Sequence, residues 1–267
     1  MKKFSILLPL YIKDKPALFK KALNSILKNT YKPDQIVLVV DGPINDDLEN
    51  IISDLKDDTF DVIRIKKNQG IINALNTGIE KCKNELVARC DSDDENVLNR
   101  FELQLHEFEK DKELVVCGGQ IVERSDGKEF YRNVPTNSED ISKYLKLRNP
   151  FNHMTVMYKK SKVIEANKYP EIIFREDYAL WVRMHSLGNK FMNLDKVLVY
   201  ATAGMSMYER RGKPADIYHE LKLQRFLFNH NVINVFEFIF NLTIRSINML
   251  ISPKIRGLIY TKFLRKL

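Results

Sequence analysis

Residues 36–42, IVLVVDG, form a short apolar run rich in β-branched side chains, and the run stops abruptly at Asp41-Gly42. An apolar run without polar alternation is typical of a strand that is covered on both faces. Three similar runs occur at residues 4–10, 62–65 and 86–88, and apolar residues spaced three and four apart follow each run. This repetition predicts an α/β fold with a mainly parallel, Rossmann-like sheet flanked by helices.

Polar side chains follow the ends of these predicted strands. Asp41 ends the second strand, Asn68 follows the third, and the acidic stretch 91–94, DSDD, follows the fourth. Ligands of parallel sheets bind outside the carboxyl ends of the strands, so we expect these side chains to share one edge. Three carboxylates within four residues repel one another unless a cation lies among them. The stretch predicts either a Mg²⁺ or Mn²⁺ site for a phosphorylated ligand or a solvated acidic turn.

The composition is that of an ordinary α/β protein with a real core: 267 residues, 44% of them hydrophobic. Cys82, Cys90 and Cys117 form no Cys-x-x-Cys pair, which argues against a disulfide framework or a zinc site and favours a reducing cytosol. The N-terminus superficially resembles a signal peptide, but Pro9 interrupts it and charged residues follow. We therefore interpret it as the first strand.

The basic charge is concentrated near the C-terminus. Residues 219–267 carry eight Lys and Arg side chains against Glu220 and Glu237, which accounts for +6 of the chain's net charge of +8. A nucleic-acid-binding protein would more often place its basic residues around a groove in the body of the domain. A basic, apolar tail instead predicts contact with an anionic membrane surface.

The same region is helical in pattern, with a break expected at Pro253. Four residues form a narrow polar stripe (Glu237, Asn241, Arg245, Asn248), and six belong to a wide apolar arc (Phe236, Ile239, Phe240, Ile247, Leu250, Ile251). An arc of this kind must be buried against something, which leaves a bilayer surface, domain packing or a homodimer interface. It is too short to span a membrane. We expect a catalytic domain at about 1–215, with halves near 1–122 and 123–215, and basic amphipathic helices at 216–267.

Five segments in this order resemble inverting GT-A glycosyltransferases of family 2. They are residues 5–11, residues 39–42, the Asn68-x-Gly70-x-x-Asn73 loop, the acidic stretch 91–94 with Arg100 downstream, and Glu176-Asp177. Each segment alone is weak, but the ordered set spans roughly residues 4 to 185 and is specific. Residues 41–44 and 149–153 are further similar to bacterial O-antigen and exopolysaccharide enzymes of the amylovoran type.

The resemblance implies a UDP-sugar donor and a Mn²⁺ or Mg²⁺ cofactor. Asp41 would bind the uracil, Asp91 would lie near the ribose, Asp93 would bind the metal, and Asp94 would face the donor sugar or orient the metal. The alternative role of Asn68 is to cap the following helix, and both roles are compatible. The alternative role of Asp41 is that of the first residue of an Asp-Gly turn. The remaining implied donor-site residues are Pro9, Tyr11, Gly70, Asn73, Ser92 and Arg100, and for Arg100 pairing with the acidic stretch is the alternative.

The resemblance also implies that Asp177 is the catalytic base and that Glu176 supports it or binds the acceptor. His153 is expected near the acceptor or the diphosphate, with a purely structural hydrogen bond as the alternative. Trp181 lies one helical turn after Asp177 and could stack on a sugar ring, although core packing is favoured.

The implied activity is transfer of a hexose, galactose or glucose, to a lipid-diphosphate-linked sugar with inversion to a β linkage, in O-antigen, capsule or exopolysaccharide synthesis. The expected location is the cytoplasmic side of the cell membrane, in peripheral association. Two alternatives are a nucleotidyltransferase and a non-catalytic lipid- or polymer-binding protein. The first should have a glycine-rich loop with a basic residue after the first strand, whereas residues 11–14 read YIKD.

Overall fold

The computed structural model describes residues 2–55, 58–125, 127–172, 175–202 and 216–250. Within these ranges the chain forms nine strands. They are β1 Phe4–Leu10, β2 Gln35–Asp41, β3 Phe60–Ile65, β4 Leu86–Arg89, β5 Glu95–Asn96, β6 Leu114–Ser125, β7 Lys128–Arg132, β8 Met157–Lys159 and β9 Lys190–Thr202. The helices are α1 Pro16–Leu27, α2 Asp46–Ser53, α3 Ile71–Lys81, α4 Arg100–Lys110, α5 Ser138–Leu145, α6 Lys160–Glu165, α7 Glu176–Ser186, α8 Asp216–Asn229 and α9 Val235–Leu250.

The strands form one sheet in the order β3-β2-β1-β4-β8-β6-β9-β5, with β7 paired to β6. Strands β1 to β4 are parallel, as the apolar runs predict. Beyond β4 the sheet becomes mixed, because the short strand β8 runs antiparallel to both β4 and β6. The predicted α/β class with a mainly parallel sheet flanked by helices is confirmed, and its second half is less regular than the first.

Alternate residues of each central strand enter two different cores. Ile6 and Leu8 face a core covered by α1, α2 and α4, whereas Leu7, Val37 and Val39 face a core covered by α3, α5 and α7. Both faces of these strands are therefore dry, which explains why their sequences show no polar alternation.

The C-terminal helices are attached to the second core. Leu223 and Leu227 of α8 are fully buried in the same cluster as Trp181 of α7. Helix α9 packs on α8, yet its Phe236 and Phe240 side chains point outward. No helix among the described residues is long and apolar enough to cross a membrane. The predicted break at Pro253 and the basic residues from Lys254 onward lie outside the described residues.

Candidate active site

The carboxyl ends of β1, β2 and β4 lie side by side and carry most of the sequence-predicted side chains. Leu10 of β1 is in register with Val40, and Leu7 of β1 is in register with Arg89 of β4. Asp41 is the last residue of β2 and Arg89 is the last residue of β4. The acidic stretch 91–94 follows directly, so the structure brings it to the same edge of the sheet as Asp41.

Asp41 connects the end of β2 to the loop before α3. Its Oδ1 accepts a hydrogen bond from the Gln69 backbone N–H, and its Oδ2 accepts one from the Gly70 N–H, both at 2.8 Å. The Asn68 side-chain amide in turn donates to the Asp41 carbonyl oxygen at 3.1 Å. Each carboxylate oxygen has a second lone pair, so Asp41 can hold this loop and still accept a hydrogen bond from a base.

Two glycines allow this loop to form. A Cβ on Gly42 would lie 2.6 Å from the Asn68 backbone nitrogen, so only glycine permits the close approach of the two segments. Gly70 needs its lack of Cβ for a different reason, because its φ of +87° lies in the left-handed region while the space around it is open. Asn73, the third member of the predicted loop, is exposed on the first turn of α3.

The members of the acidic stretch have different surroundings. Asp94 is buried, and its Oδ1 accepts a hydrogen bond from the Thr202 N–H at 2.8 Å, while the Thr202 hydroxyl donates to the Asp93 carbonyl oxygen at 2.6 Å. Asp94 thereby joins the end of β9 to the acidic stretch. Burial and the like charges of Asp91 and Asp14 raise the pKa of the partly exposed Asp93 carboxyl to about 6. Asp93 therefore carries negative charge that the protein itself does not balance.

Asp14 is a site residue that the sequence analysis missed. Its carboxylate accepts hydrogen bonds from the Tyr11 N–H, at 2.9 Å, and from the Ser92 side chain, which places it beside the acidic stretch. Burial, with a smaller contribution from Asp91, raises the pKa of Asp14 to about 6. Its position shortly after β1, at the ligand edge, could have identified it. Tyr11 lies 37% exposed at the same place, and Pro9 is buried within β1.

These carboxylates fit a divalent metal only if the ligand supplies part of its coordination. Among the described residues no three His, Cys, Asp or Glu side chains converge closely enough to bind a metal by themselves. Burial and the like charges of Asp91 and Asp14 nevertheless raise the pKa of Asp93, so a cation beside its hard oxygen atoms would be stabilising. Mg²⁺ and Mn²⁺ accept such a donor set, since they are commonly held by one or two carboxylates together with substrate phosphates.

Arg89 is the second residue that sequence reasoning missed. Its buried guanidinium forms an ion pair with Asp91, and its Nε has no hydrogen-bond partner among the described residues. Its charge lowers the pKa values of Asp93 and Asp94 on one side and of Glu176 and Asp177 on the other. Arg89 therefore acts electrostatically on two carboxylate groups that are far apart in sequence, and its charge partly offsets the rise in their pKa values.

The predicted donor contact of Arg100 is not supported by its position. The side chain is fully buried, and its guanidinium donates hydrogen bonds to the Asn96 side chain, to Gln104 and to the Arg89 carbonyl oxygen, the last at 2.8 Å. The pairing with the acidic stretch proposed as the alternative is not its main interaction either. Arg100 instead holds the backbone of Arg89 at the end of β4.

Glu176 and Asp177 begin α7 on the other side of Arg89. The Asn149 side-chain amide donates to Asp177 Oδ2 at 2.6 Å, and the Tyr178 N–H donates to Oδ1 at 2.7 Å, so the Asp177 carboxylate is fixed in orientation. Glu176 Oε2 is buried without a hydrogen-bond partner among the described residues. Burial raises the pKa of Asp177, and burial together with Asp177 raises that of Glu176 to about 7. Such a pair can exchange a proton near neutral pH.

The side chains of His153 and Trp181 are neighbours. The His153 Nε2 is hydrogen-bonded to the Tyr169 hydroxyl at 2.8 Å, and burial together with Arg89 keeps the pKa of His153 well below its usual value. His153 is therefore a neutral imidazole. Trp181 is fully buried, with ring centroids 5.1 Å from Phe151 and 6.1 Å from His153. The suggested stacking of Trp181 on a sugar ring is wrong for this conformation, and the favoured alternative of core packing is confirmed.

Comparison with known sequences shows which proteins this chain resembles. Residues 5–172 match the family model "Glycosyl transferase family 2". The amylovoran biosynthesis glycosyltransferase AmsE of Erwinia amylovora is 34% identical over 261 residues, covering 97% of this chain and 98% of the relative. A UDP-Gal:alpha-D-GlcNAc-diphosphoundecaprenol beta-1,3-galactosyltransferase of Escherichia coli is also 34% identical, covering 99% of this chain and 97% of the relative.

Solved structures show the same fold at low sequence identity. S. aureus TarS, crystallised with UDP-GlcNAc, superposes with a TM-score of 0.69 at 18% identity and covers 98% of this chain and 73% of the TarS chain. The mannosyltransferase PcManGT from Pyrobaculum calidifontis, solved with GDP-Man and Mn²⁺, gives a TM-score of 0.61 at 13% identity and covers 96% and 72% of the two chains. Both likenesses support a GT-A fold for the described architecture.

Proposed function

The chain belongs to glycosyltransferase family 2, and from that premise we propose that it transfers galactose or glucose from a UDP-sugar to a lipid-diphosphate-linked sugar. The transfer inverts the anomeric carbon and serves the synthesis of an O-antigen, capsule or exopolysaccharide. The observation that carries the proposal is the buried Arg89, which forms an ion pair with Asp91 of the acidic stretch and whose charge also acts on Glu176 and Asp177. The UDP-Gal donor named for the E. coli galactosyltransferase and the amylovoran named for the Erwinia relative agree with this proposal.

The donor would lie along the edge formed by β2 and β4. Asp41 accepts a hydrogen bond from the uracil, Asn68 and Gly70 shape the loop beside it, and Asp91 lies near the ribose. Asp93 would hold Mg²⁺ or Mn²⁺, and Asp91 and Asp14 add negative charge around it. A metal bound there would stabilise the charge that develops on the departing diphosphate.

The chemistry requires one base on the opposite side of the anomeric carbon. An acceptor hydroxyl forms a bond to that carbon while the bond to the diphosphate oxygen breaks, and UDP leaves with the bonding electrons. Asp177 takes the hydroxyl proton, and Asn149 orients it for that transfer. No general acid is required, because diphosphate is a good leaving group once its charge is balanced.

The pH dependence of transfer tests the role of Arg89. We expect the rate to fall as the pH drops below about 7, because the Glu176 carboxyl with its raised pKa, coupled to Asp177, then gains a proton. Replacing Arg89 by methionine removes a positive charge that lowers both pKa values, so the acidic limb should move to higher pH. Arg89→Lys keeps the charge and should leave the limb close to that of the wild type. An unchanged limb in Arg89→Met would contradict the proposed coupling.

The proposed acceptor places the enzyme at a membrane. A sugar carried on a lipid diphosphate stays at the bilayer, so the enzyme must reach the bilayer surface to use it. We propose peripheral association with the inner face of the cell membrane, through anionic lipids attracted by the basic C-terminal residues. A homodimer remains compatible with this arrangement.

A donor and acceptor screen tests the proposal against its alternatives. UDP-galactose, UDP-glucose and their N-acetyl counterparts would be incubated with GlcNAc- or GalNAc-diphospholipids, and UDP release and product mass measured. We expect UDP-galactose or UDP-glucose to give product. A nucleotidyltransferase would instead form a nucleotide-sugar from a sugar phosphate, and a non-catalytic binding protein would bind the lipid without releasing UDP.

A further inference from the structure

Helix α9 turns its apolar side chains away from the protein. Phe236, Ile239, Phe240 and Ile244 are spaced three or four residues apart and therefore share one face, which we call the outer face. Phe236 is 79% exposed, Phe240 58% and Ile239 57%. A contiguous apolar face of this kind on a folded protein marks an interaction surface. We propose that the outer face of α9 docks into the headgroup region of an anionic lipid bilayer.

The polar side of α9 fixes this orientation. Asn241 is 3% exposed, and its side-chain amide donates to the Lys146 carbonyl oxygen at 2.9 Å and to Gln224 at 3.1 Å. Glu237 forms an ion pair with Lys146 at 2.8 Å, and Arg245 forms one with Glu220 at 2.9 Å. Turning the apolar face inward would move these polar side chains into solvent and leave the buried Glu220 carboxylate without the charge of Arg245. Glu237, Asn241 and Arg245 of the polar stripe thus form the inner face of the helix.

This arrangement suits a helix lying in the plane of a bilayer. An interfacial helix places its apolar face several ångströms into the boundary between headgroups and acyl chains, and its polar face remains outside. On α9 that polar face is already paired with the protein, so the whole domain would be carried to the surface in one orientation. The 17 residues after α9 supply Lys254, Arg256, Lys262, Arg265 and Lys266 and no acidic residue, which favours anionic lipids.

The segment beneath α9 also leads to the proposed base. Asn241 and Arg245 of α9 donate hydrogen bonds to the carbonyl oxygens of Lys146 and Leu147, respectively. Two residues later Asn149 holds Asp177. Helix α9 therefore packs directly on the segment that holds the proposed base, to which a lipid-linked acceptor must come. The inference rests on the proposed acceptor to that extent, and this continuity favours a bilayer over a second copy of the chain.

A vesicle assay separates these possibilities. The full-length protein would be sedimented with vesicles of phosphatidylglycerol and phosphatidylcholine, or of phosphatidylcholine alone, at low and high salt. We expect binding to the anionic vesicles and a loss of about 30-fold or more in partitioning for Phe236→Ser/Phe240→Ser, since two phenylalanine side chains no longer enter the bilayer. Tyr131→Ser/Ile164→Ser, which removes two exposed apolar side chains of β7 and α6, is the matched control and should bind as the wild type does.

Transfer to a short-chain, water-soluble acceptor distinguishes this inference from the proposed function. The Phe236→Ser/Phe240→Ser protein should retain activity on this soluble acceptor. If neither the variant nor the wild type transferred sugar to it, the result would count against the proposed function instead. Equal vesicle binding by the variant and the wild type would overturn the docking surface. A second result would also overturn it: the wild type is a dimer that does not bind vesicles, and the two substitutions convert it to a monomer. A second copy of the chain would then cover the outer face.

Discussion

Replacing Asp177 by asparagine is expected to lower the rate of sugar transfer by roughly 10² to 10⁴-fold, the contribution of a positioned general base. The substitution keeps the shape of the side chain and its hydrogen bond from Asn149 but removes the ability to take a proton. UDP affinity should stay close to that of the wild type, because the hydrogen bonds of Asp177 run to Asn149 and Tyr178 and not to the donor edge. Initial rates and calorimetric UDP titrations would measure the two quantities.

Glu176→Gln is the informative comparison, because Glu176 Oε2 is buried without a hydrogen-bond partner among the described residues and the pKa of Glu176 is raised to about 7. We expect a smaller loss of rate, with a change in acceptor KM if Glu176 contacts the acceptor. The assignment of the base would move to Glu176 if its variant were inactive while Asp177→Asn still turned over. Loss of UDP binding in Asp177→Asn would refute a role confined to the acceptor side.

The second large effect is expected at Asp93. Asp93→Asn removes the proposed metal-binding charge, so the affinity for UDP in the presence of Mn²⁺ should fall. Loss of a residue that only supports a metal ligand lowers metal affinity by up to about 100-fold. Loss of the ligand itself should therefore lower UDP affinity by about 100-fold or more. The variant should be as heat-stable as the wild type without metal, or more so. The reason is that the pKa of Asp93 is raised, and the neutral amide avoids the repulsion from Asp91 and Asp14.

Thermal unfolding with and without Mn²⁺ and UDP provides a readout that does not depend on activity. Ligand binding should raise the Tm of the wild type but not that of Asp93→Asn. Asp195→Asn is the matched control, because Asp195 is an exposed carboxylate of β9, seven residues before Thr202. If Asp93→Asn retained the full Mn²⁺-dependent stabilisation, another carboxylate would have to hold the metal.

Local patterns were sufficient to predict the first half of the fold. The apolar runs of β1 to β4 are buried on both faces, so their composition directly reports their position, and the polar residues that follow them lie at the ligand edge. The mixed pairing of β8 between β4 and β6 was not predictable, because it depends on contacts between residues roughly 40 to 70 positions apart and leaves no period in a three-residue strand.

Arg89 could not be recognised as a site residue from its local sequence. Arg89 ends an apolar strand, and its charge also acts on Glu176 and Asp177, which lie more than 80 residues later in the sequence. Arg100 shows the reverse, since a motif position suggested a ligand contact while tertiary packing buried the side chain. For α9 the period of the sequence predicted two faces correctly, but only the contacts of Asn241 and Glu237 show which face meets the protein.

The central claim is direct, inverting transfer of a hexose from UDP to a lipid-linked sugar. The most direct measurement is the anomeric configuration of the product that the wild-type enzyme forms from UDP-galactose or UDP-glucose, determined by NMR or by digestion with linkage-specific glycosidases. Because these donors carry an α-anomeric bond, a single displacement with Asp177 as the base must give a β-linked product. An α-linked product, or no transfer from any UDP-sugar, would contradict the account.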